Sequence, residues 1–297
     1  MSSESNDQKP ESVEPGPPSG AKARQSARAP STWGAVRDAV SSVHNLGALL
    51  RSTSVKYKVI RDLLPELRSC AVVLRELFTP AGATGDAGQT GDDEATREVC
   101  AYGLLCAGKL EELLDATALA NDERDDLAPR SLDLAGQLEA ASDLLALLDR
   151  SAIPIRTSVS MRLIVLETGR LWGGTRGGDI AVRFDDSEPD RSIDVDPYVV
   201  GPLLSLVLGL VRAGGVGEVV VRARTTGAEA ALSVEPAGPA DAGFKTVSVR
   251  ILPCVPPAEK AVREVASRIG AALELDGVRA VLRFQPAAEP STPSTTG

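Results

Sequence analysis

The chain has 297 residues, of which 43% are hydrophobic but only 3% aromatic, and its formal net charge is −9. A chain of this length and composition can bury a sizeable core, and its size favours two domains over one. The acidic balance and the lack of a dense Lys/Arg block argue against nucleic acid or an anionic membrane as the main partner. The N-terminus lacks the apolar core of a signal peptide, and no run approaches the ~20 apolar residues of a membrane span, so a cytoplasmic protein is expected.

The few cysteines and the single histidine limit which metal sites and disulfides the chain can form. The four cysteines, Cys70, Cys100, Cys106 and Cys254, show no CxxC spacing, and His44 is the only histidine. This set indicates neither a zinc site nor a disulfide framework, so we expect no metal and no other cofactor. The cysteines are interpreted as small apolar side chains that fill space in a reducing compartment.

Composition divides the chain into four parts. Residues 1–31 and 287–297 are rich in Ser, Pro, Thr and Gly with little to bury, which predicts disordered tails. Residues 32–152 carry helical periodicity and are predicted to form one domain. Residues 153–286 change to β-branched alternation and glycine-rich turns and are predicted to form a second domain.

A long helical pattern follows the first tail. From Trp33 the apolar positions fall at alternating spacings of four and three, which predicts a helix packed against other helices. These positions are Val36, Val40, Val43, Gly47 and Leu50. The pattern predicts that the helix continues to Leu77, with a bend at Pro65. Further helices are predicted over 94–120 and 131–150, so the domain is expected to be an antiparallel bundle. Its apolar stripes are too wide for one hairpin to cover, which favours a homodimer.

The second domain alternates strands and helices. Strands are predicted over 179–184, 217–224, 230–234, 245–252 and 277–284. Helices are predicted over 159–171, 197–212 and 258–269. Neighbouring hairpins with helices between them indicate an α/β sandwich, in which helices cover one face of a mixed sheet.

Two stretches of the second domain carry a family resemblance. The run from Val195 to Leu204 resembles the Asp-Pro entry into the first nucleotide-site helix of two-component histidine kinases. The run from Ala258 to Leu275, followed by Val281 to Phe284, resembles their closing helix and final strands. The resemblance implies an α+β fold: an N-terminal antiparallel helical bundle for dimerisation and phosphotransfer, followed by an α/β sandwich of the ATPase superfamily of gyrase, heat-shock chaperones and histidine kinases.

The magnesium-binding motif of that family is missing. In the family, the helix entered at Asp196-Pro197 carries two asparagines four residues apart that hold magnesium against the triphosphate, because this hard cation needs oxygen ligands. Here the corresponding positions are Ser205 and Gly209. Residues 159–284 contain no asparagine at all, so no shift of the alignment restores the motif.

Two further nucleotide motifs are altered. The family's Asp-x-Gly-x-Gly, which contacts the adenine, corresponds to a run in which Glu235, Ala237 and Pro239 replace the acid and the glycines, with Gly238 between. The glycine-rich lid ahead of the last helix corresponds to 252–257, which ends in two prolines. Prolines lack the N–H groups that cradle phosphates. The three changes together predict a degenerate kinase domain that does not use ATP.

His44 is the candidate phosphoacceptor, because a neutral imidazole nitrogen is a good nucleophile near neutral pH. The alternative is a half-buried helix residue with no chemistry. The residues around it are predicted to take part in partner docking: Val43, Leu46, Gly47 and Leu50. For Gly47, a close approach by a partner loop and a close helix crossing are both open.

The neighbours of His44 depart from the family pattern. Asn45 follows it as in some family members, but Ala48 and Leu49 stand where the family has Thr or Asn and then Pro. These residues are poor at the base catalysis and water positioning of an active kinase. The resemblance therefore implies an ATP-independent signalling protein, either a dimeric histidine phosphotransferase or a docking platform for response-regulator receiver domains. The alternatives are a non-catalytic pseudokinase scaffold and, third, a divergent ATP-dependent kinase.

Overall fold

The computed structural model describes residues 30–52, 54–80, 94–120, 126–172, 180–185, 192–226, 229–244, 246–249, 251 and 253–284. The helices within these residues are α1 (Pro30–Arg51), α2 (Tyr57–Phe78), α3 (Glu94–Leu119), α4 (Leu127–Ser151), α5 (Met161–Trp172), α6 (Pro197–Ala213) and α7 (Ala258–Arg268). The strands are β1 (Thr157–Ser160), β2 (Ile180–Asp185), β3 (Ser192–Val195), β4 (Glu218–Thr226), β5 (Glu229–Pro236), β6 (Thr246–Val249), β7 (Ala271–Leu275) and β8 (Ala280–Phe284). The predicted tails lie outside the described residues, except that α1 already begins at Pro30.

The first four helices form a closed antiparallel bundle within one chain. Helix α1 packs against α2 and α4, and α3 packs against the same two helices. The predicted seam of α1 points inward, since Val36 and Val43 are at most 2% exposed. Each helix therefore buries its apolar stripe between two neighbours, as expected for an up-and-down bundle.

The prediction of one long helix from Trp33 to Leu77 is wrong, because α1 ends at Arg51 and a separate helix, α2, begins at Tyr57. Lys56 is extended, with φ −67° and ψ 139°, and α2 begins at the next residue. The hydroxyl groups of Ser52 and Ser54 are hydrogen-bonded to each other at 2.9 Å. Short hydroxyl side chains compete with helical backbone hydrogen bonds, which favours a turn here. Pro65, where a bend was expected, lies inside α2.

Helix α4 is buried on nearly all sides in its second half. Leu144, Leu145, Leu147 and Leu148 are each at most 4% exposed, although successive residues point in different directions. A helix that is apolar all round must be covered all round. The bundle covers one side of α4, and α6 and α7 of the second domain cover the other. The two domains consequently share a core along this helix.

The second domain is a six-stranded mixed sheet with helices on one face. The strand order is β6-β2-β4-β5-β8-β7, in which β2 and β4 are parallel and the other pairs are antiparallel. Side chains alternate between the faces, so Val219 and Val221 of β4 join the core, whereas Arg222 and Arg224 lie on the other face. Helices α5, α6 and α7 pack on the core face.

A small two-stranded sheet was not predicted. Strands β1 and β3 pair antiparallel, with Thr157 opposite Val195 and Ser160 opposite Ser192. The helix predicted over 159–171 therefore begins only at Met161, because its first two residues complete β1. The remaining predicted elements of this domain are present, with ends that differ by a few residues.

The predicted fold class is confirmed: a helical bundle is followed by an α/β sandwich. None of the helices in the described part of the chain is long and apolar enough to cross a membrane.

Candidate functional site

His44 lies on the flank of α1 that borders α4. Its side chain is half-buried, while Ser41, Asn45 and Ala48 on the outer face of α1 are exposed. The register between the helices is fixed close to His44, because the Ser131 hydroxyl donates a hydrogen bond to the backbone oxygen of Val43 at 3.3 Å. The imidazole is therefore held at the edge of a rigid helix pair and is partly accessible.

The side chains assigned to partner docking point inward, which corrects that expectation. Val43, Leu46 and Leu50 are 0%, 1% and 2% exposed, respectively. They belong to the seam of the closed bundle and face the other helices rather than a partner. A charged substitution at Leu46 would place a charge in the bundle core and unfold it.

Gly47 permits a close helix crossing. A Cβ atom at this position would lie 2.6 Å from the side chain of Leu132 and 3.3 Å from its backbone nitrogen. The buried position of Gly47 therefore supports a close crossing of α1 and α4. It contradicts the other interpretation, in which a loop of a partner protein approaches Gly47.

A shallow groove runs beside the exposed face of α1. It has a volume of about 120 Å³ and lies between α1 and α2. Its floor is apolar and includes Leu46 and Leu49, while Ser42, Asn45 and Glu66 form a polar rim. Asn45, which follows His44 in the sequence, is part of this rim. The exposed outer face of α1, with Ser41, Asn45 and Ala48, therefore lies between His44 on the α4 side and this groove on the α2 side.

Two acidic residues of α4, Glu139 and Asp143, lie on the flank of the bundle near Arg37 of α1. Asp143 is exposed at the surface, but partial desolvation by its surroundings raises the pKa of its carboxyl group to about 6, the carboxylate of Glu139 raises it further, and Arg37 opposes the shift. Since the pKa of Asp143 is raised above its unfolded value, its charged form opposes folding, and this cost is lost as pH falls through about 6. The flank is therefore more negative at neutral pH than at mildly acidic pH.

The positions that the resemblance aligns with magnesium-binding asparagines face the bundle. Ser205 and Gly209 of α6 line a cavity of about 10 Å³ together with Ala140 and Leu144 of α4 and the loop from Pro253 to Val255. This volume is close to that of a single water-sized probe. Helix α4 and the proline-containing loop close the space beside α6, so the surface that the resemblance assigns to a nucleotide forms a contact between the domains.

Polar contacts at both ends of α7 join the sheet domain to the helical bundle. Lys260, near the start of α7, pairs with Glu94 and Glu98 of α3 at 2.6 and 2.7 Å. Arg268, at its end, donates a hydrogen bond to the backbone oxygen of Leu148 in α4 at 2.8 Å. Burial lowers the pKa of Arg268. Pro253 approaches α4 closely, since a Cβ atom at Gly136 would lie 3.3 Å from its ring.

Glu235, which the resemblance aligns with an adenine-contacting acid, forms ion pairs with arginines. Its carboxylate pairs with Arg224 at 2.8 Å, with Arg279 at 2.9 Å and with Arg222 at 4.0 Å. All three contacts lie on the sheet face opposite the helices or at its rim. The side chain therefore points away from the cavity beside α6, where the resemblance would require it.

The backbone N–H groups of the two residues after β5 already donate hydrogen bonds within the chain. The backbone nitrogen of Ala237 donates to the oxygen of Glu218 at 3.1 Å, and that of Gly238 donates to the Asp241 carboxylate at 2.7 Å. Asp241 pairs in turn with Arg222. These amides stabilise the turn that follows β5 and have no free hydrogen bond to offer a ligand.

Two of the four cysteines differ from the expectation. Cys100 and Cys106 are buried fillers as predicted, but Cys254 is exposed and Cys70 is partly exposed. Among the described residues, no group of three or more His, Cys, Asp or Glu side chains has the arrangement of a metal site.

Chain order separates His44 from the sheet domain. The resemblance implies a histidine on the hairpin that directly precedes the ATPase-like domain, and here that hairpin is formed by α3 and α4. The only histidine of the sequence lies on α1, in the preceding hairpin. The sequence pattern does not reveal that His44 lies on the first of four helices, because the apolar spacing continues through the break after Arg51.

No model of a known protein family and no curated protein matches the chain. The solved structures similar to it include the Acinetobacter baumannii histidine kinase AdeS, at 12% identity over 64% of this chain and 98% of that one, with a TM-score of 0.42. Full-length ShkA in complex with AMPPNP is 18% identical over 59% of this chain and 42% of that one, with a TM-score of 0.35.

A histidine kinase from Burkholderia phymatum STM815 is 18% identical over 64% of this chain and 91% of its own, with a TM-score of 0.28. Two of these three proteins are histidine kinases by name. With TM-scores below 0.5, these likenesses do not transfer an activity to this chain.

Proposed function

We propose that the chain is an ATP-independent two-component signalling protein that binds a response-regulator receiver domain through the surface of α1 around His44. The observation that carries the proposal is the closed cavity beside α6. Ser205 and Gly209 line a space of about 10 Å³ against α4, whereas ligand sites usually measure roughly 300–1,000 Å³.

Three features act together against nucleotide binding. Ser205 and Gly209 offer one hydroxyl between them in place of two amide oxygens for magnesium. Glu235 is held by arginines on the far side of the sheet. Opening the cavity would also require separating α7 from α3 and α4, at the cost of the contacts of Lys260 and Arg268.

Calorimetric titration of the full chain with Mg-ATP is expected to give no binding heat. The variant Leu144→Ala, which enlarges the cavity from the bundle side, serves as the matched control. It is expected to bind no better, because the ligand groups for magnesium and phosphate are still missing. A dissociation constant in the micromolar-to-millimolar range for either protein would favour the divergent ATP-dependent kinase instead.

The docking surface is assigned to exposed residues rather than to the seam. Ser41, Asn45 and Ala48 surround His44 on the outer face of α1. The groove between α1 and α2 adds an apolar floor with a polar rim, a combination that suits the anchor side chain of a protein partner. The receiver domain would dock across this face without disturbing the buried seam.

Phosphotransfer through His44 is the second candidate, favoured by the partial exposure of its imidazole. In this reaction a ring nitrogen attacks the phosphorus of an aspartyl phosphate, so that an N–P bond forms and the carboxylate leaves. The resemblance assigns magnesium and the catalytic lysine to the receiver domain, so His44 needs little help from its neighbours. The contrasting alternative is a scaffold that binds its partner without any transfer.

His44→Gln and Ala48→Arg separate these alternatives. His44→Gln is expected to keep binding but to abolish transfer from a phosphorylated receiver domain, because glutamine lacks the nucleophilic nitrogen and the sequence has no second histidine. Ala48→Arg is expected to weaken binding by placing a long charged side chain on the exposed face. The measurements are acid-labile, alkali-stable label on the protein and receiver affinity by calorimetry.

Full binding with no label on the wild type would identify a scaffold and exclude the phosphotransferase. Undiminished binding by Ala48→Arg would contradict docking on this face of α1.

A further inference from the structure

The bundle is made of two hairpins that complete each other. Helices α1 and α2 form the first, α3 and α4 the second, and each helix of one hairpin packs along a helix of the other. The second hairpin continues into the sheet domain, whereas the first has no such attachment. The first hairpin therefore covers the apolar face of the second.

The contact between α1 and α4 is close and specific. Gly47 leaves room for Leu132, whose side chain would collide with any Cβ atom at that position. The hydroxyl of the fully buried Ser131 reaches the backbone oxygen of Val43. A different hairpin would not reproduce this pairing unless it carried the same glycine at the same level.

The contact between α2 and α3 is equally specific. The ring of Phe78, which is fully buried, occupies the space in which Gly103 lacks a side chain. The Tyr57 hydroxyl donates to the backbone oxygen of Thr117. On the surface, Arg75 pairs with Glu111 at 2.7 Å. Apolar, polar and ionic contacts thus all join the two hairpins of one chain.

Few large apolar side chains are exposed on the described outer surface of the bundle. They are Val59, Val72, Leu105 and Leu119. Single exposed apolar residues are usual on monomeric proteins, while interfaces between subunits need larger patches. The width of the apolar stripes, which favoured a homodimer from the sequence, is accounted for by four helices of one chain.

We propose that the α1–α2 hairpin completes the four-helix bundle within one chain, so that the apolar face of the α3–α4 hairpin needs no hairpin from a second copy. The chain is then a monomer with one His44 and one sheet domain. This inference concerns the bundle alone and does not rest on the proposed signalling function.

A disulfide across the closest contact distinguishes one chain from two. Gly47→Cys and Leu132→Cys are combined in a full-length background with Cys70→Ser and Cys254→Ser, which removes the accessible native thiols. Light scattering of the unmodified protein is expected to give a mass of 30.9 kDa. After oxidation, the cysteine pair is expected to link within one chain, so that the denatured, non-reduced protein keeps the mass of one chain.

The control pair uses Ala48→Cys, one residue along α1 and exposed, with the same Leu132→Cys. It is expected to link much more slowly, because Ala48 faces away from α4. A wild-type mass of twice 30.9 kDa, or a disulfide that joins two chains, would overturn the proposal. The light-scattering result needs no substitution and decides the matter even if the cysteine variants fold poorly.

Discussion

Replacement of Gly103 by alanine is expected to lower the free energy of unfolding by about 2 kcal/mol, in the range usual for overpacking a core. A Cβ atom at Gly103 would lie 2.2 Å from a ring carbon of Phe78. That ring is fully buried between α2 and α3 and has no open space to move into. Either the ring leaves its rotamer or the helices separate, and both outcomes weaken the joint between the hairpins.

Gly108→Ala is the matched control on the same helix. No atom lies within 4 Å of the Cβ position at Gly108, so alanine there should stabilise the protein by up to about 1 kcal/mol through helix propensity. Urea unfolding followed by circular dichroism measures both variants. Adding Phe78→Leu to Gly103→Ala should recover part of the loss. Equal unfolding midpoints for the two alanine variants would show that Phe78 does not fill the space at Gly103.

The sequence predicted the fold wherever the signal is local. The seam of α1 and the ends of α3 and α6 follow from the apolar spacing, whereas the Asp196-Pro197 start of α6 follows from the family resemblance. In the structure Asp196 caps this helix, since it accepts a hydrogen bond from the backbone nitrogen of Tyr198. The break after Arg51 was missed because Val55 and Val59 continue the apolar spacing through it. Only the short Ser-Thr-Ser cluster at 52–54 marks the turn.

The candidate site was harder to predict because its contacts join distant segments. A helical stripe shows which side chains are buried but not whether the cover is the same chain or a partner, so Leu46 and Leu50 were assigned to docking. The replacement of asparagines at Ser205 and Gly209 is visible in the sequence, whereas their coverage by α4 depends on how the domains pack. The arginines around Glu235 likewise come from distant segments, namely strand β4 and the turn between β7 and β8.

Arg222 is the centre of the ion-pair network to which Glu235 belongs, and its loss is expected to have the largest effect on the sheet domain. Its guanidinium pairs with Asp241, whose side chain is 6% exposed, and with Asp185, whose side chain is 10% exposed. Glu235 lies 4.0 Å away. Arg222→Met keeps much of the side-chain volume but leaves these carboxylates without their shared cation, which should cost about 3–5 kcal/mol.

Arg224→Met, two residues along the same strand face, is the control. Arg224 pairs with Glu235 at 2.8 Å, but 43% of its side chain is exposed, so water screens the pair and its loss should cost no more than about 1 kcal/mol. Urea unfolding of both variants should therefore separate them clearly. If Arg222→Met unfolds at the same urea concentration as Arg224→Met, the buried carboxylates are satisfied by other groups, and the network does not hold Glu235 away from α6. If the expected gap is found, Arg222 is the cation on which the buried carboxylates Asp185 and Asp241 depend, and the weaker contacts of Glu235 with Arg222 and Arg224 lie at the edge of that network.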